Sequence, residues 1–108
     1  MMTIDMNREL FEKAMKESDR PVLVEFWAPW CVYCRRIGPA FDKLAGQLGE
    51  SMIVGKVNID DEEKLAEAEQ IEVIPTLVLY QNGQALGSIV APESKARIEA
   101  FIQETLGK

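Results

Sequence analysis

Two cysteines separated by two residues have the clearest capacity for chemistry in this sequence. Cys31 and Cys34 are the only cysteines of the chain, and they lie in the segment FWAPWCVYCRR, from Phe26 to Arg36. A pair at this spacing could contribute to a metal site, form a structural disulfide, or cycle between dithiol and disulfide. Each of these chemistries needs different surroundings, so the rest of the sequence bears on the choice.

A metal site needs more ligands than these two thiols supply. Structural zinc is almost always held by four Cys or His side chains, and this chain has two cysteines and no histidine. A site shared between two copies of the chain stays open. A structural disulfide is the second alternative, but closing a loop of about four residues would stabilise the fold by only about 2 kcal/mol.

Sequential attack by the two thiols is the chemistry that the spacing favours. One thiol can form a mixed disulfide with a substrate, and the second can resolve it. Cys31 is expected where a strand ends and a helix begins, so the partial positive charge and free N–H groups of the helix start would favour its thiolate. Arg35 and Arg36 add positive charge nearby. The pair is therefore predicted to be a redox centre.

Length and charge limit the other functions. The chain has 108 residues and a formal net charge of −6, so we expect one domain over residues 1–108 and no nucleic-acid binding, which usually requires a basic surface. No apolar run approaches the roughly 20 residues that span a membrane, so no membrane partner is expected. The charged, amphipathic N-terminus lacks the features of a signal peptide. The sequence thus predicts a cytoplasmic protein, in which a static disulfide would be unusual.

Hydrophobic periodicity predicts alternating helices and strands. Val22–Trp27 is nearly continuously apolar, as in a central strand covered on both faces. Asn82-Gly83 separates two apolar strands and is a strong signal for a tight hairpin. The predicted helices are Asn7–Ser18, Val32–Leu48, Asp61–Glu69 and Glu93–Leu106, and the other predicted strands are Ile53–Ile59, Thr76–Gln81 and Ala85–Val90. This order indicates an α/β fold with a mixed central sheet, preceded by a segment that is either strand or coil.

Four stretches give the chain a family resemblance that an isolated pair of cysteines would not. Together they are similar to thioredoxins over almost the whole length of the chain. The stretches are VLVEFWAPWCVYCRRIGP, KVNIDDE, VIPTLVLYQNG and the closing amphipathic helix. The resemblance implies the thioredoxin fold, an α/β fold with a mixed sheet of four to five strands flanked by four helices. It also implies thiol–disulfide exchange with other proteins, without a cofactor or a metal.

The resemblance assigns roles to individual residues around the pair. Cys31 matches the exposed attacking thiol and Cys34 the shielded resolving thiol. Pro75 matches a cis-proline that faces the cysteines, and the backbone of Ile74 before it would pair with a substrate strand. Trp30 matches a flat apolar surface beside the attacking cysteine.

Glu25 is the only charged residue of the predicted strand Val22–Trp27. It is either an edge position whose side chain reaches water, or a buried carboxyl whose raised pKa lets it exchange a proton with Cys34. Thioredoxins usually have aspartate at the matching position, so glutamate carries the same chemistry on a side chain one methylene longer. Lys56 matches a lysine that approaches this acid, and the alternative for it is an ordinary surface lysine.

The insert Val32-Tyr33 and the residue Val90 depart from the family pattern. Thioredoxins usually have Gly-Pro between the cysteines, and replacing that proline restores a backbone N–H at the helix start. An additional donor would stabilise the thiolate of Cys31 and raise the reduction potential. Val90 stands about where the family has a glycine that lets a partner's backbone approach, so the valine is expected to narrow or reshape the substrate groove.

Two classes of function agree with these residues. The first is a general protein-disulfide reductase, monomeric and recharged by a thioredoxin reductase, whose partners are client proteins with disulfides. The second is a specialised redox partner or binding module dedicated to one client. Tyr33 also resembles the insert of glutaredoxins, but the Gly-Gly-x-Asp type turn of that family is missing, and a glutaredoxin-like activity stays an alternative.

Overall fold

Helices and strands alternate along the chain in the order that hydrophobic periodicity predicts. The computed structural model describes residues 3–17 and 19–107. Its strands are β1 (Ile4–Asp5), β2 (Val22–Trp27), β3 (Ile53–Asn58), β4 (Thr76–Gln81) and β5 (Gln84–Val90). Its helices are α1 (Arg8–Glu17), α2 (Val32–Leu48), α3 (Glu63–Ala68) and α4 (Lys95–Leu106). Within these residues, no helix is both long and apolar enough to cross a bilayer.

The strands form one mixed sheet in the order β1-β3-β2-β4-β5. β1, β3 and β2 are parallel to one another, whereas β4 runs antiparallel to β2, and β5 runs antiparallel to β4. β2 is therefore hydrogen-bonded along both edges, and its first five residues are buried, as expected for a strand covered on both faces. The predicted mixed sheet is confirmed, and the segment predicted as either strand or coil is the edge strand β1.

Two apolar clusters hold the helices against opposite faces of the sheet. Leu23 of β2 packs with Phe41 of α2 and Ile98 of α4. The next residue, Val24, belongs to the cluster that includes Phe11 of α1 and part of α3. Successive side chains of a strand point to opposite faces, so α2 and α4 cover one face of the sheet and α1 and α3 cover the other. Burying each such side chain stabilises the fold by about 1.5–3 kcal/mol.

Asn7 and Ser94 cap helices α1 and α4. The side-chain oxygen of Asn7 accepts a hydrogen bond from the N–H of Leu10 at 2.8 Å, and the hydroxyl oxygen of Ser94 accepts one from the N–H of Arg97 at 3.1 Å. These bonds satisfy N–H groups that a helix start leaves free. The helices predicted to begin at Asn7 and Glu93 therefore begin one and two residues later.

α3 is shorter than the predicted helix Asp61–Glu69, because the N–H groups of its first two predicted residues donate to the carbonyl of Asn58 in a turn. β3 accordingly ends at Asn58, one residue before the predicted Ile59. β5 starts at Gln84, one residue earlier than predicted. Ser18, the predicted end of the first helix, lies outside the described residues.

The hairpin between β4 and β5 has the predicted tight turn. Asn82 and Gly83 have φ values of 54° and 79°, and positive φ at both central residues is the requirement of a type I′ turn. Gln81 and Gln84 pair directly on either side of it. The register shifts between Leu79 and Tyr80, so the turn and this irregularity together place Val90 opposite Thr76 at the site.

Gly55 of β3 lets the buried side chain of Met6 lie directly against the strand. A β-carbon at position 55 would stand 2.5 Å from Met6 Cε and 2.6 Å from Met6 Sδ. The N–H of Met6 also donates to the carbonyl of Lys56 at 2.8 Å. Met6 therefore fixes the chain between β1 and α1 to the sheet.

We expect Gly55→Ala to lower the free energy of unfolding by about 1 kcal/mol, the low end of overpacking costs, because the flexible end of the buried Met6 side chain must shift to admit the methyl group. Met6→Ala should relieve that clash, so the two substitutions should be non-additive by about 0.5–3 kcal/mol. Urea unfolding of the wild type, both single variants and the double variant gives this coupling energy.

Gly38→Ala is the matched control, because a β-carbon at Gly38 has no neighbour within 4 Å. Alanine inside α2 should stabilise the helix by up to about 1 kcal/mol. If Gly55→Ala and Gly38→Ala change the free energy of unfolding equally, or if the effects of Gly55→Ala and Met6→Ala simply add, then the position of Met6 does not depend on the absence of a side chain at residue 55.

Candidate redox site

The two cysteines lie at the junction between β2 and α2. Cys31 is the N-cap residue of α2 and Cys34 lies in its first turn. Their side chains form a disulfide, with the two Cα atoms 5.2 Å apart. In the disulfide both are buried, with 9% of Cys31 and 3% of Cys34 exposed, so Cys31 is the less buried of the two but is not the exposed residue that the resemblance implied. The N–H of Cys34 points at Cys31 Sγ, 3.2 Å away, so sulfur occupies the position that a serine, threonine or aspartate oxygen usually takes. An N–H donor and the positive end of a helix at one sulfur are the surroundings that stabilise a thiolate.

Trp30 lies beside Cys31 with 64% of its surface exposed. Its indole N–H donates to both carboxylate oxygens of Asp60, at 3.0 and 3.2 Å, and the N–H of Asp60 donates to Asn58 Oδ1 at 2.9 Å. Asp60 therefore holds an exposed apolar ring in one orientation. Asp60 was not among the residues predicted from the sequence, although it lies just after the carboxyl end of β3, where sites of open α/β sheets form, and this position is a signal that could have identified it.

The segment before β4 forms a second side of the site. The peptide bond between Ile74 and Pro75 is cis, and Pro75 is fully buried. Ile74 packs against the cluster that contains both cysteines, and the hydroxyl of Thr76 donates to the carbonyl of Val73. The structure thus brings two residues that were predicted to bind substrate into the neighbourhood of the disulfide.

The loop after β5 forms a third side, and two hydrogen bonds connect it to the other two. The N–H of Ala91 donates to the carbonyl of Pro75 at 2.8 Å. The hydroxyl of Tyr33 donates to the carbonyl of Pro92 at 3.0 Å, and the guanidinium carbon of Arg36 lies 5.9 Å from the centroid of the Tyr33 ring. Tyr33, predicted from the sequence to tune the redox pair, therefore also joins α2 to this loop.

Ala91, rather than Val90, has the backbone conformation that glycine favours. The φ of Ala91 is 47°, whereas Val90 is the last residue of β5 and pairs with Thr76. Val90 is thus a strand residue, and the left-handed position is the residue that follows it. A left-handed backbone costs a residue with a side chain roughly 1–2 kcal/mol, which the two hydrogen bonds of the loop offset.

Four exposed apolar side chains lie in or next to the three segments that form the site. Trp30 and Val32 flank Cys31 in the sequence, Val73 precedes the cis-proline segment, and Val90 ends β5; all four are exposed. We call these four residues the apolar rim. Such a patch on an otherwise charged protein is typical of a surface that contacts other molecules.

Glu25 is buried, with 1% of its surface exposed, so the alternative in which its side chain reaches water is wrong. It points to the face of β2 that α2 covers, because it lies two residues after Leu23. Among the described residues, neither of its carboxylate oxygens has a hydrogen-bond partner. Burial raises the pKa of Glu25 to about 7, an effect that the charge of Lys56 opposes and that of Asp42 reinforces.

Lys56 is aligned with Glu25 in the neighbouring strand. Its ammonium nitrogen lies 4.7 Å from the centroid of the Trp27 ring, a cation–π contact worth about 0.5–1 kcal/mol at a partly exposed site. Its positive charge favours the ionised form of Glu25 and so limits the rise of the carboxyl pKa. Lys56 therefore acts on Glu25 through its charge, while the Trp27 ring holds its ammonium group.

Comparisons with known proteins agree with this arrangement. The family model for thioredoxin matches residues 2–104. The thioredoxin of Haemophilus influenzae is 35% identical over 101 residues, which are 94% of each chain. Thioredoxin 1 of Synechococcus elongatus is 39% identical over 96 residues, covering 89% of this chain and 90% of that protein.

Two further comparisons concern structure and domain context. The solved structure of the thioredoxin of Malassezia sympodialis matches with a TM-score of 0.85 and 28% identity, covering 97% of this chain and 90% of that one. A bifunctional thioredoxin reductase/thioredoxin of Mycobacterium leprae is 33% identical over 97 residues, which are 90% of this chain and 21% of that protein. The fold that the sequence resemblance implied is confirmed.

The buried carboxyl of Glu25 should make the stability of the oxidised protein fall as the pH rises from about 4.5 to about 7. The pKa of Glu25 is 4.5 when unperturbed and about 7 in the fold, so the folded state binds more protons across this window and loses stability with increasing pH. The difference corresponds to about 3 kcal/mol, since each pKa unit is about 1.4 kcal/mol. Glu25→Gln should remove this part of the pH dependence.

Urea unfolding of the wild type and of Glu25→Gln at several pH values from 4.5 to 8 measures the effect. The difference between the two curves isolates Glu25 from the other carboxyl groups. Parallel curves across the whole range would mean that Glu25 has the same pKa in the folded and unfolded states.

Proposed function

The chain belongs to the thioredoxin family and is a thiol–disulfide oxidoreductase, and on this premise we propose that it reduces disulfides in client proteins. The observation that carries the proposal is the position of Cys31 Sγ at the N-cap of α2, where the N–H of Cys34 points at it from 3.2 Å. That sulfur is next to the apolar rim, which offers a surface for a client segment.

In the proposed reaction the thiolate of Cys31 attacks one sulfur of a client disulfide. The client S–S bond breaks, a mixed disulfide forms, and the other client sulfur leaves as a thiolate that takes up a proton. Cys34 then attacks the sulfur of Cys31, which releases the second client thiolate and leaves the disulfide between Cys31 and Cys34. Two electrons have passed from the dithiol to the client.

We assign the proton of the second step to Glu25. Cys34 must lose its proton before it attacks, and a carboxyl whose pKa is about 7 is half ionised near neutral pH and can accept it. The charge of Lys56 keeps that pKa from rising further. The arrangement supports a relay because Glu25 lies on the α2 side of β2, and the first turn of α2 contains Cys34.

We assign substrate contact to Trp30, Ile74, Pro75 and Val90. Trp30 and Val90 offer apolar surface on the rim. Ile74 lies beside the cysteines, where its backbone would pair with an extended client segment, and Pro75 fixes the direction of that backbone. Main-chain pairing of this kind gives affinity with little dependence on client sequence.

The oxidised protein must be recharged, and we infer that a thioredoxin reductase supplies the two electrons. The Mycobacterium leprae relative, in which a thioredoxin reductase and a thioredoxin are one bifunctional protein, supports this partner class. We further propose that the protein works as a monomer in the cytoplasm, since a disulfide reductase needs a reducing compartment. With a net charge of −6, nucleic acid is not among the proposed partners.

Single substitutions separate the roles of the cysteines. Cys31→Ser should abolish reduction of insulin disulfides, because no attacking thiol remains at the helix start. Cys34→Ser should form the mixed disulfide and fail to resolve it, so client adducts should accumulate on Cys31. Mass spectrometry of each variant after incubation with insulin identifies the adducts.

Wild-type protein with a generic thioredoxin reductase and NADPH is the control for turnover. Equal amounts of client adduct on Cys34 of the first variant and on Cys31 of the second would contradict the assigned order of attack. A wild-type protein that leaves insulin intact would count against general reductase activity and favour a dedicated client.

Replacing Val32-Tyr33 by Gly-Pro should lower the reduction potential by roughly 20–60 mV. With Cys31 as N-cap, the N–H of residue 33 belongs to the second helical residue, whose N–H commonly points at the cap side chain, and proline would remove it. A hydrogen bond to a charged acceptor is worth about 1.5–3 kcal/mol and a neutral one about 1 kcal/mol. Since about 30 mV corresponds to 1.4 kcal/mol for two electrons, losing this bond gives the expected shift.

Equilibration of both proteins with glutathione buffers, followed by tryptophan fluorescence, gives the two potentials. The wild type should be the more oxidising protein. If the Gly-Pro variant has an equal or higher potential, the restored N–H does not stabilise the dithiol form.

A further inference from the structure

We propose that Tyr33 is a positioning residue whose hydroxyl holds the loop after β5 against α2 and thereby favours extended peptide disulfides over small disulfides as clients. This inference rests on the proposed reductase function and names the substrate class of the same site. Tyr33 itself need not touch the client, because it acts through the loop that contains Ala91 and Pro92.

The geometry supports a specific contact rather than general packing. The hydroxyl of Tyr33 donates to the carbonyl of Pro92 at 3.0 Å across 59 residues of sequence. Its ring is half-buried and packs against the cluster that includes both cysteines, while the guanidinium of Arg36 lies over it. The phenol is therefore oriented from several sides, and its hydroxyl reaches a buried residue of the loop.

Opposing contributions of similar size act on the observed position of the loop. Ala91 has a left-handed backbone, with φ of 47°, which disfavours the observed conformation for a residue with a side chain. Two hydrogen bonds oppose that cost, one from the N–H of Ala91 to Pro75 and one from Tyr33 to Pro92. Because a neutral hydrogen bond contributes a factor of about five, losing the one from Tyr33 should shift the loop measurably toward open forms.

A held loop matters for some clients more than for others. Val90 of the apolar rim immediately precedes Ala91, and Ala91 is bonded to Pro75, so a client segment lying along Ile74 and Pro75 would run beside this loop. A preformed groove lowers the ordering cost of binding an extended segment. A small disulfide has no extended segment to lie along Ile74 and Pro75, so its reduction should depend on the loop much less.

Tyr33→Phe tests the first part of the proposal, because it keeps the ring and its contact with Arg36 and removes only the hydroxyl. The amide of Ala91 should exchange with solvent about two- to fivefold faster, measured by NMR and normalised to the amide of the core residue Leu79. Tyr80→Phe is the matched control, since it removes a hydroxyl that donates to Glu69 at 2.7 Å, away from the loop, and it should leave the normalised exchange at Ala91 unchanged.

The second part is tested by the ratio of kcat/KM for a disulfide-bridged peptide to kcat/KM for dithiobis-nitrobenzoate. In Tyr33→Phe this ratio should fall about two- to threefold, through a higher KM for the peptide, because the competent loop position is less populated. The reduction potential of Tyr33→Phe should equal that of the wild type, whereas that of the Gly-Pro variant should be lower.

Each outcome decides the proposal. Unchanged exchange at Ala91 would show that Tyr33 does not hold the loop, and faster exchange with an unchanged ratio would show that the loop does not select clients. A fall in the ratio without faster exchange would also overturn the proposal. A wild-type protein that reduces no peptide disulfide would defeat the proposed function, while exchange at Ala91 would still report on the hydrogen bond from Tyr33.

Discussion

The first turn of α2 is capped by a sulfur atom, and both the fold and the chemistry of the protein depend on that contact. The N–H of Cys34 that points at Cys31 Sγ would, in most helices, be satisfied by a side-chain oxygen. Here the group that starts the helix is also the group that reacts. β2 determines where this turn lies, because it is buried and hydrogen-bonded on both edges, and the N–H of Cys31 returns to the carbonyl of Ala28.

The burial that fixes β2 also means that an ionised Glu25 would destabilise the fold, since a charged carboxyl without hydrogen-bond partners is strongly disfavoured in the interior. The raised pKa is the consequence: the side chain stays protonated until the pH reaches about 7. A purely structural position would be better filled by an apolar residue, as at its neighbours in β2. A destabilising carboxyl that titrates near neutral pH, under the helix that contains Cys34, therefore supports the proton exchange proposed for Glu25.

Local patterns in the sequence predicted the features that local physics determines. Val22–Trp27 identified a strand covered on both faces, Asn82-Gly83 identified the hairpin, and the spacing of Cys31 and Cys34 identified the redox pair. The contacts of Trp30 with Asp60 and of Tyr33 with Pro92 join residues 30 and 59 positions apart. Such contacts depend on where β3 and β5 end relative to α2, which periodicity does not specify to one residue.

The insert between the cysteines affects the site in two separate ways, because its backbone and its side chains meet different neighbours. The backbone N–H of Tyr33 lies in the first turn of α2, which Cys31 caps, whereas its hydroxyl donates to the carbonyl of Pro92 in the loop after β5. Val32 faces solvent and contributes to the apolar rim. A proline at position 33 would remove both the backbone N–H and the hydrogen bond from the hydroxyl to Pro92. The reduction potential and the choice of client can therefore be assigned to different atoms of Tyr33 only by substitutions that remove one of these groups at a time.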